Sequence, residues 1–190
     1  MKVPPADRAV APGSLGLVQV FVNSVSIEFG PDEFATAAGL ADWLARNGLG
    51  PVPVGEHDRH DAVVLREAVR ALLRENNGAG PDLEARQAIA HIARNCPLIV
   101  GFDAGSDPLG LRPALTDIRG ALATILSSVA GAVADGSWQR LKACHEPRCE
   151  WIFYDRSRNR GSRWCSMAVC GTRAKMRVYR QAKRAQDPVT

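Results

Sequence analysis

Apolar residues recur at helical spacing through most of the first 135 positions. Between residues 61 and 76 the stripe Val64, Leu65, Ala68, Leu72 and Leu73 predicts a buried helix face, and Asn76-Asn77-Gly78 ends it. Residues 36–47 repeat the pattern on a shorter scale, with Leu40, Trp43 and Leu44 on one side and Gly48 as the stop. Pro81 suits the first position of a further helix reaching about Asn95, which Pro97 breaks. Residues 116–135, rich in Ala, Leu and Val, read as helix again. Residues 15–29 are ambiguous, because Val18, Val20 and Val22 alternate as in a strand while Leu15, Val18, Val22 and Val25 share a helical face. Two short β-rich runs, 98–102 and 109–115, flank a turn cluster at 103–108 and predict a small hairpin. The expected architecture is mainly α: a helical N-terminal domain with a small β-hairpin over residues 1–137, then a second unit over 138–190.

Charge sharpens that boundary, which falls at Gly136. The net charge is +4, but residues 138–190 hold thirteen Lys and Arg against four Asp and Glu, while the first 137 are net acidic. A basic module attached to an acidic body suits a polyanionic partner. No run of about 18 apolar residues exists, so no membrane span is expected. Residues 1–8 lack a secretory pattern and read as a frayed tail, which makes the cytoplasm the expected location. There thiols stay reduced, and spaced cysteines favour metal over disulfides.

Cys144 and Cys149 are separated by four residues, Cys165 and Cys170 likewise, with fifteen residues between the pairs. Two short loops each donating two thiolates satisfy the tetrahedral preference of one zinc ion, and a closed thiolate set makes that zinc structural. An iron–sulfur cluster would use the same ligands, but the symmetrical double loop suits zinc better. His145 adjoins Cys144 too closely to replace a cysteine without strain. Cys96 reads as an inert core thiol. The polar run His57-Asp58-Arg59-His60-Asp61 reads as helix-start capping rather than a second metal site.

Around the cysteines lies recognition chemistry. Residues 151–154 (Trp-Ile-Phe-Tyr) read as a strand covering the metal, with Trp151, Phe153 and Trp164 expected in the small core. The loop that follows carries Arg156, Arg158, Arg160 and Arg163, four arginines in eight positions. Residues 171–184 can form a helix on which Arg173, Arg177, Arg180 and Arg184 make one basic stripe, with Lys175 beside it. Ala174, Val178 and Ala182 form a neighbouring stripe expected to pack inward. Guanidinium forks match phosphates and guanine edges in bidentate geometry. The same arginines are also compatible with solvating the finger or meeting an acidic protein, and Asp155 could pair with one of them. RNA binding would need exposed rings.

The runs Trp138-Gln139-Arg140-Leu141-Lys142-Ala143-Cys144, Phe153-Tyr154-Asp155-Arg156-Ser157-Arg158-Asn159, Arg163-Trp164-Cys165-Ser166-Met167 and Cys170-Gly171-Thr172-Arg173-Ala174-Lys175 resemble the CGNR zinc finger family. The match covers nearly all of 138–184. Traces upstream, Phe21-Val22-Asn23-Ser24, Trp43-Leu44 and Leu65-Arg66-Glu67-Ala68, resemble the helical ABATE domain that precedes such fingers. The resemblance implies a treble-clef-like or ribbon zinc finger ending in a basic helix. It also implies a role as a bacterial-type, stress-related transcription regulator that binds double-stranded DNA.

One position departs from the family motif: Thr172 stands where the family has Asn, and Thr loses the amide's two donors. On this reading the acidic body senses a small-molecule effector or forms a homodimer, as bacterial regulators commonly do. Asn23, polar in an apolar run, is either an effector contact or a structural amide. No nucleophile elbow, phosphate-cradling loop or hydrolase signature is present, and an enzyme is not expected. The alternative function is a protein–protein module whose basic finger docks on an acidic partner.

Overall fold

The architecture was read from a computed structural model that describes residues 9–102 and 109–186. The N-terminal tail at 1–8 and the turn cluster at 103–108 lie outside the described residues. The ambiguous first segment is helical: α1 spans Leu15–Val22. A loop closed by a bridge between Val25 and Asp32 follows it. Helix α2 (Ala37–Arg46) starts where Thr36 accepts the Gly39 N–H at 3.0 Å, a side-chain cap for an otherwise unmet donor.

Helix α3 (Glu56–Glu75) begins five residues before the expected start. Asp58 accepts the Gly55 N–H at 2.8 Å and so extends the helix back through the His57–Asp61 run. Among the described residues that run gathers no group of three potential ligands. Helix α4 is Leu83–Ala93, and Pro81 lies ahead of it rather than at its first position, because Asp82 caps the Ala85 N–H at 2.9 Å. Strands β1 (Leu98–Gly101) and β2 (Gly110–Pro113) form the expected antiparallel hairpin. Helix α5 (Ile118–Ala134) follows, capped by Asp117.

Beyond Gly136 come a 3-10 turn at Trp138–Arg140, strand β3 (Leu141–Ala143), strand β4 (Ile152–Tyr154), a π turn at Met167–Gly171 and helix α6 (Thr172–Gln186). Strands β3 and β4 pair antiparallel, Leu141 opposite Tyr154 and Ala143 opposite Ile152. The fold is thus helical with two small hairpins, the second opening onto the cysteine cluster and a terminal helix. Among the described residues no helix is long and apolar enough to cross a membrane.

One hydrophobic core draws on helices α1 to α5 and strands β1, β3 and β4. Phe21, Phe34 and Trp43 meet with ring centroids 5.4–5.7 Å apart, mostly tilted or edge-on as aromatic quadrupoles prefer. The same cluster continues through Leu65, Val69 and Leu73 of α3 and Leu122 and Ile125 of α5. It reaches Trp138, Leu141, Ala143 and Ile152 beyond the charge boundary. Cys96 lies within it as a free thiol, pushed up to about 11 chiefly by burial, which keeps it protonated and inert.

Two arginines of α3 are buried against this core. Arg66 grips both carboxylate oxygens of Asp32, at 2.7 and 2.9 Å, and stacks over the Phe34 ring. Arg70, 1% exposed, donates to the Val22 carbonyl at the end of α1 and to the Glu150 carbonyl. A buried cation is tolerable only when paired and hydrogen-bonded; each guanidinium nitrogen of both arginines donates, and both pair with Glu67 as well.

Candidate metal centre and basic surface

Helix α3 positions the cysteine cluster. Its terminator residues, legible in sequence only as a stop signal, also grip the second hairpin. The Asn76 amide donates to the carbonyls of Trp138 and Leu141, both at 2.9 Å. Asn77 donates to those of Ala143 (2.7 Å) and Arg163 (2.8 Å). On the other side Asn23 clamps strand β4. Its Oδ1 accepts the Ile152 N–H at 2.8 Å and its Nδ2 donates to the Ile152 carbonyl at 2.9 Å. The amide so mimics a neighbouring strand, the structural one of its two readings. Gln19 adds a second donor to the same carbonyl. Asn23 still borders a cleft of about 390 Å³ with Trp43 and Trp151, but both ends of its amide are engaged.

Held in this way, β3 delivers Cys144, and the turn after it delivers Cys149, whose N–H donates to the Glu146 carbonyl at 2.8 Å. Cys165 and Cys170 bracket the entry into the π turn that precedes α6. All four sulfurs lie within 4.8 Å of one another, with Cys149–Cys165 at 3.6 Å and Cys165–Cys170 at 3.7 Å. A tetrahedral zinc with bonds of about 2.3 Å needs sulfurs about 3.8 Å apart, so the cluster has the size of a zinc shell.

The Cys165 N–H points at the Cys144 sulfur at 3.5 Å, the outer hydrogen bonding that orients thiolate ligands. Trp151, Trp164 and Val169 cover the sulfurs. Packed together without a cation the thiols resist ionisation. Hydrogen bonds with Cys144 and Cys149 push Cys165 up, and burial pushes Cys170 up to about 12. A dication is what such a set accommodates, and four thiolates close its coordination, so it holds one structural zinc ion. His145 is exposed and outside the group.

The arginine loop is not a slack tether. Asp155 is buried at its start and accepts from Lys142 Nζ (2.8 Å), the Ser157 N–H (2.9 Å) and the Ser162 N–H (3.0 Å). Burial alone would raise this carboxyl, but the Lys142 ammonium and the Ser157 bonds hold it far below the usual carboxylate range. Lys142 also donates to the carbonyls of Arg160 and Ser162, and Arg140 to those of Asp155 and Ser157. Asp155 therefore pairs with a lysine rather than with a loop arginine. With the loop folded on this ion pair, Arg156, Arg158, Arg160 and Arg163 are left exposed. Arg156 reaches back to the Val10 carbonyl at 3.0 Å. Arg158 and Arg163 border a cleft of about 400 Å³ with Trp164 and Met167.

The stripe on α6 divides in two. Arg173 pairs with Glu28 of the Val25–Asp32 loop at 2.8 Å, and Arg177 reaches both oxygens of Glu146 at 3.0 and 3.2 Å. Glu146 is 1% exposed. Arg180 and Arg184 line the same groove, about 1210 Å³, but make no ion pair among the described residues. The expected inward apolar stripe does not pack: Val178 is 65% exposed and Ala182 is exposed, with only Ala174 half-buried. From Lys175 to Arg184 every residue of α6 is exposed. The Thr172 hydroxyl donates to the Met167 carbonyl at 3.2 Å.

Sequence reasoning did not find Arg70, Asn76, Asn77, Lys142 or Glu146 as site-building residues. Of these only Arg70, between Ala68-Val69 and Ala71-Leu72-Leu73, stood out as a charge inside an apolar run.

The model of the CGNR zinc finger family matches residues 140–183. That of the ABATE family, described as "Putative stress-induced transcription regulator", matches residues 16–136. No curated protein matches the chain. With the second family spanning well over half its length, the chain belongs to the ABATE family and carries a CGNR zinc finger at its C-terminal side.

Proposed function

We propose that this protein is a DNA-binding transcription regulator in which zinc folds the finger and the arginines read duplex DNA. The observation that carries this reading is the arginine loop. Lys142 and Asp155 take up its inward polar groups, so Arg158, Arg160 and Arg163 stand exposed on an ordered frame. Preorganised guanidiniums lose little freedom on meeting phosphates or guanine edges. Arg156, Lys175, Arg180 and Arg184 extend the basic surface. Arg173 and Arg177, already paired with carboxylates, join it only where DNA displaces or bypasses those partners. The body couples to the finger through α3, which makes it the natural place for an input signal. The function needs no catalytic step.

A second reading has one observation in its favour: Glu28 and Glu146 occupy Arg173 and Arg177, so carboxylates fit the groove, as an acidic protein partner would require. Selection from a random duplex pool by the zinc-loaded full-length protein at physiological salt separates the two. The DNA reading expects a defined motif whose affinity falls steeply with salt, because each neutralised phosphate releases counterions. It also expects the R158A/R163A variant to lose binding with zinc retained. No enriched motif, with fold and zinc verified, would overturn direct readout in favour of the acidic partner.

A further inference from the structure

Residues paired across an antiparallel ladder point to the same face, and that face recurs every second residue. In the first hairpin Leu98 faces Pro113 and Val100 faces Leu111. Phe102 and Leu109 extend the alternation by one step. One face is therefore apolar at every described position, while the other carries Ile99, Gly101, Gly110 and Arg112. The stripe starts inside the molecule, where Leu98 packs on the main core, and then runs out of it. Val100 is 67% exposed, Phe102 74%, Leu109 57% and Leu111 47%.

Side chains of this size at these exposures leave roughly 400 Å² of contiguous apolar surface, the scale at which a patch on a soluble protein marks an interaction site. The outer edges of β1 and β2 pair with no other strand among the described residues. A lone two-stranded hairpin is marginal in water. The exposed Met176, Val178 and Tyr179 of α6 differ in kind, being interleaved with arginines and lysines.

We propose that this hairpin is a self-association surface, two copies of the chain packing their apolar faces across a twofold axis. Charge selects the partner. In a twofold contact each residue meets itself or its neighbours, so any charge on the patch would oppose its own sign. Here 23% of the chain is charged, yet the described residues of this face carry no charge. An acidic or basic partner would find no countercharge among the described residues of this face. Two such patches with their rims bury about 1,000 Å², the lower bound for a specific interface, which corresponds to a dimer that dissociates on dilution. The proposal stands independently of what the finger binds, and two fingers on one axis would present two basic loops.

The test is sedimentation equilibrium on the zinc-loaded full-length protein from low to about 100 µM, a range that brackets so small an interface. Wild type is expected to pass from monomer to dimer. Both V100E/L111E and V100K/L111K are expected to stay monomeric, a weakening of at least about 100-fold, since buried like charges cost several kcal/mol. Thermal melting and zinc content confirm that these surface variants fold. Mixing the two is expected to restore a dimer, because unlike charges then face one another. A wild type that stays monomeric throughout, charge variants that still dimerise, or a mixture that stays monomeric would each overturn the proposal.

Discussion

The two hairpins of this protein are close in length and opposite in circumstance. Strands β3 and β4 hold three residues each, yet five side chains from the helical body bind their backbone or its flanks: Gln19, Asn23, Arg70, Asn76 and Asn77. Leu141, Ala143 and Ile152 are 0–1% exposed. Strands β1 and β2 hold four residues each, and apolar side chains project from them into solvent. A short hairpin gains little from its own ladder, so its surroundings decide its character. Polar side chains aimed at backbone make the second hairpin a fixed part of the body, whereas the first presents exposed apolar side chains.

Zinc removal has the largest expected effect. Replacing Cys165 by Ser, or stripping zinc with a chelator, is expected to abolish amide protection around the four cysteines and along α6, while β4, clamped by the body, and β1–β2 keep theirs. Structural zinc contributes on the order of 10 kcal/mol to such modules. Hydrogen exchange reads both hairpins at once, and retained protection around Cys170 would contradict the assignment. Because Cys144, Cys165 and Cys170 are held above their ordinary range, protons compete with zinc. Affinity should rise with pH, and zinc should leave on acidification, which a chromophoric chelator can follow.

Arg70→Met is next in size. It leaves the carbonyls of Val22 and Glu150 without their buried donor, at a cost of about 3 kcal/mol, or about 9 °C in Tm for a chain of this size. Val100→Ser in the first hairpin, measured at low concentration, should shift Tm by less than about 2 °C. Equal effects would erase the contrast between the hairpins.

Asp155→Asn is expected to cost about 2 kcal/mol at neutral pH, less than Arg70→Met. The native carboxyl lies below its unfolded value, so its contribution is complete above the ordinary carboxylate range. It is lost as pH falls through the depressed native value. Urea unfolding should show the wild-type advantage at pH 7 and its disappearance in strong acid. An advantage independent of pH would assign it to packing rather than charge.

The comparison also shows where sequence reading succeeded. The metal site was legible because zinc imposes its geometry through local spacing, and each cysteine pair closes its own short loop. Helices α2, α3 and α5 were legible from apolar periodicity. Helix starts were less so, since Asp58 and Asp82 reset those of α3 and α4 through single capping bonds. The α6 stripe misled for a related reason. Ala174, Val178 and Ala182 share a face, but periodicity does not say whether anything lies opposite it.

The sequence by itself determined the helical body, the first short hairpin and the four-thiolate site, because each follows from contacts among near neighbours in the chain, whereas the pairing of β3 with β4 emerged only in the structure. Tertiary structure alone decided which charges are spent and which remain available. Lys142, Arg140, Arg173 and Arg177 look like the other basic residues in sequence, yet each meets a carboxylate or carbonyl brought to it by folding. Arg158, Arg163, Arg180 and Arg184 meet no carboxylate among the described residues. The physical reason is range. Hydrophobic periodicity and metal-ligand spacing act over a few residues, whereas Arg70 reaches Glu150 and Asn23 reaches Ile152 only after the whole chain has closed around α3.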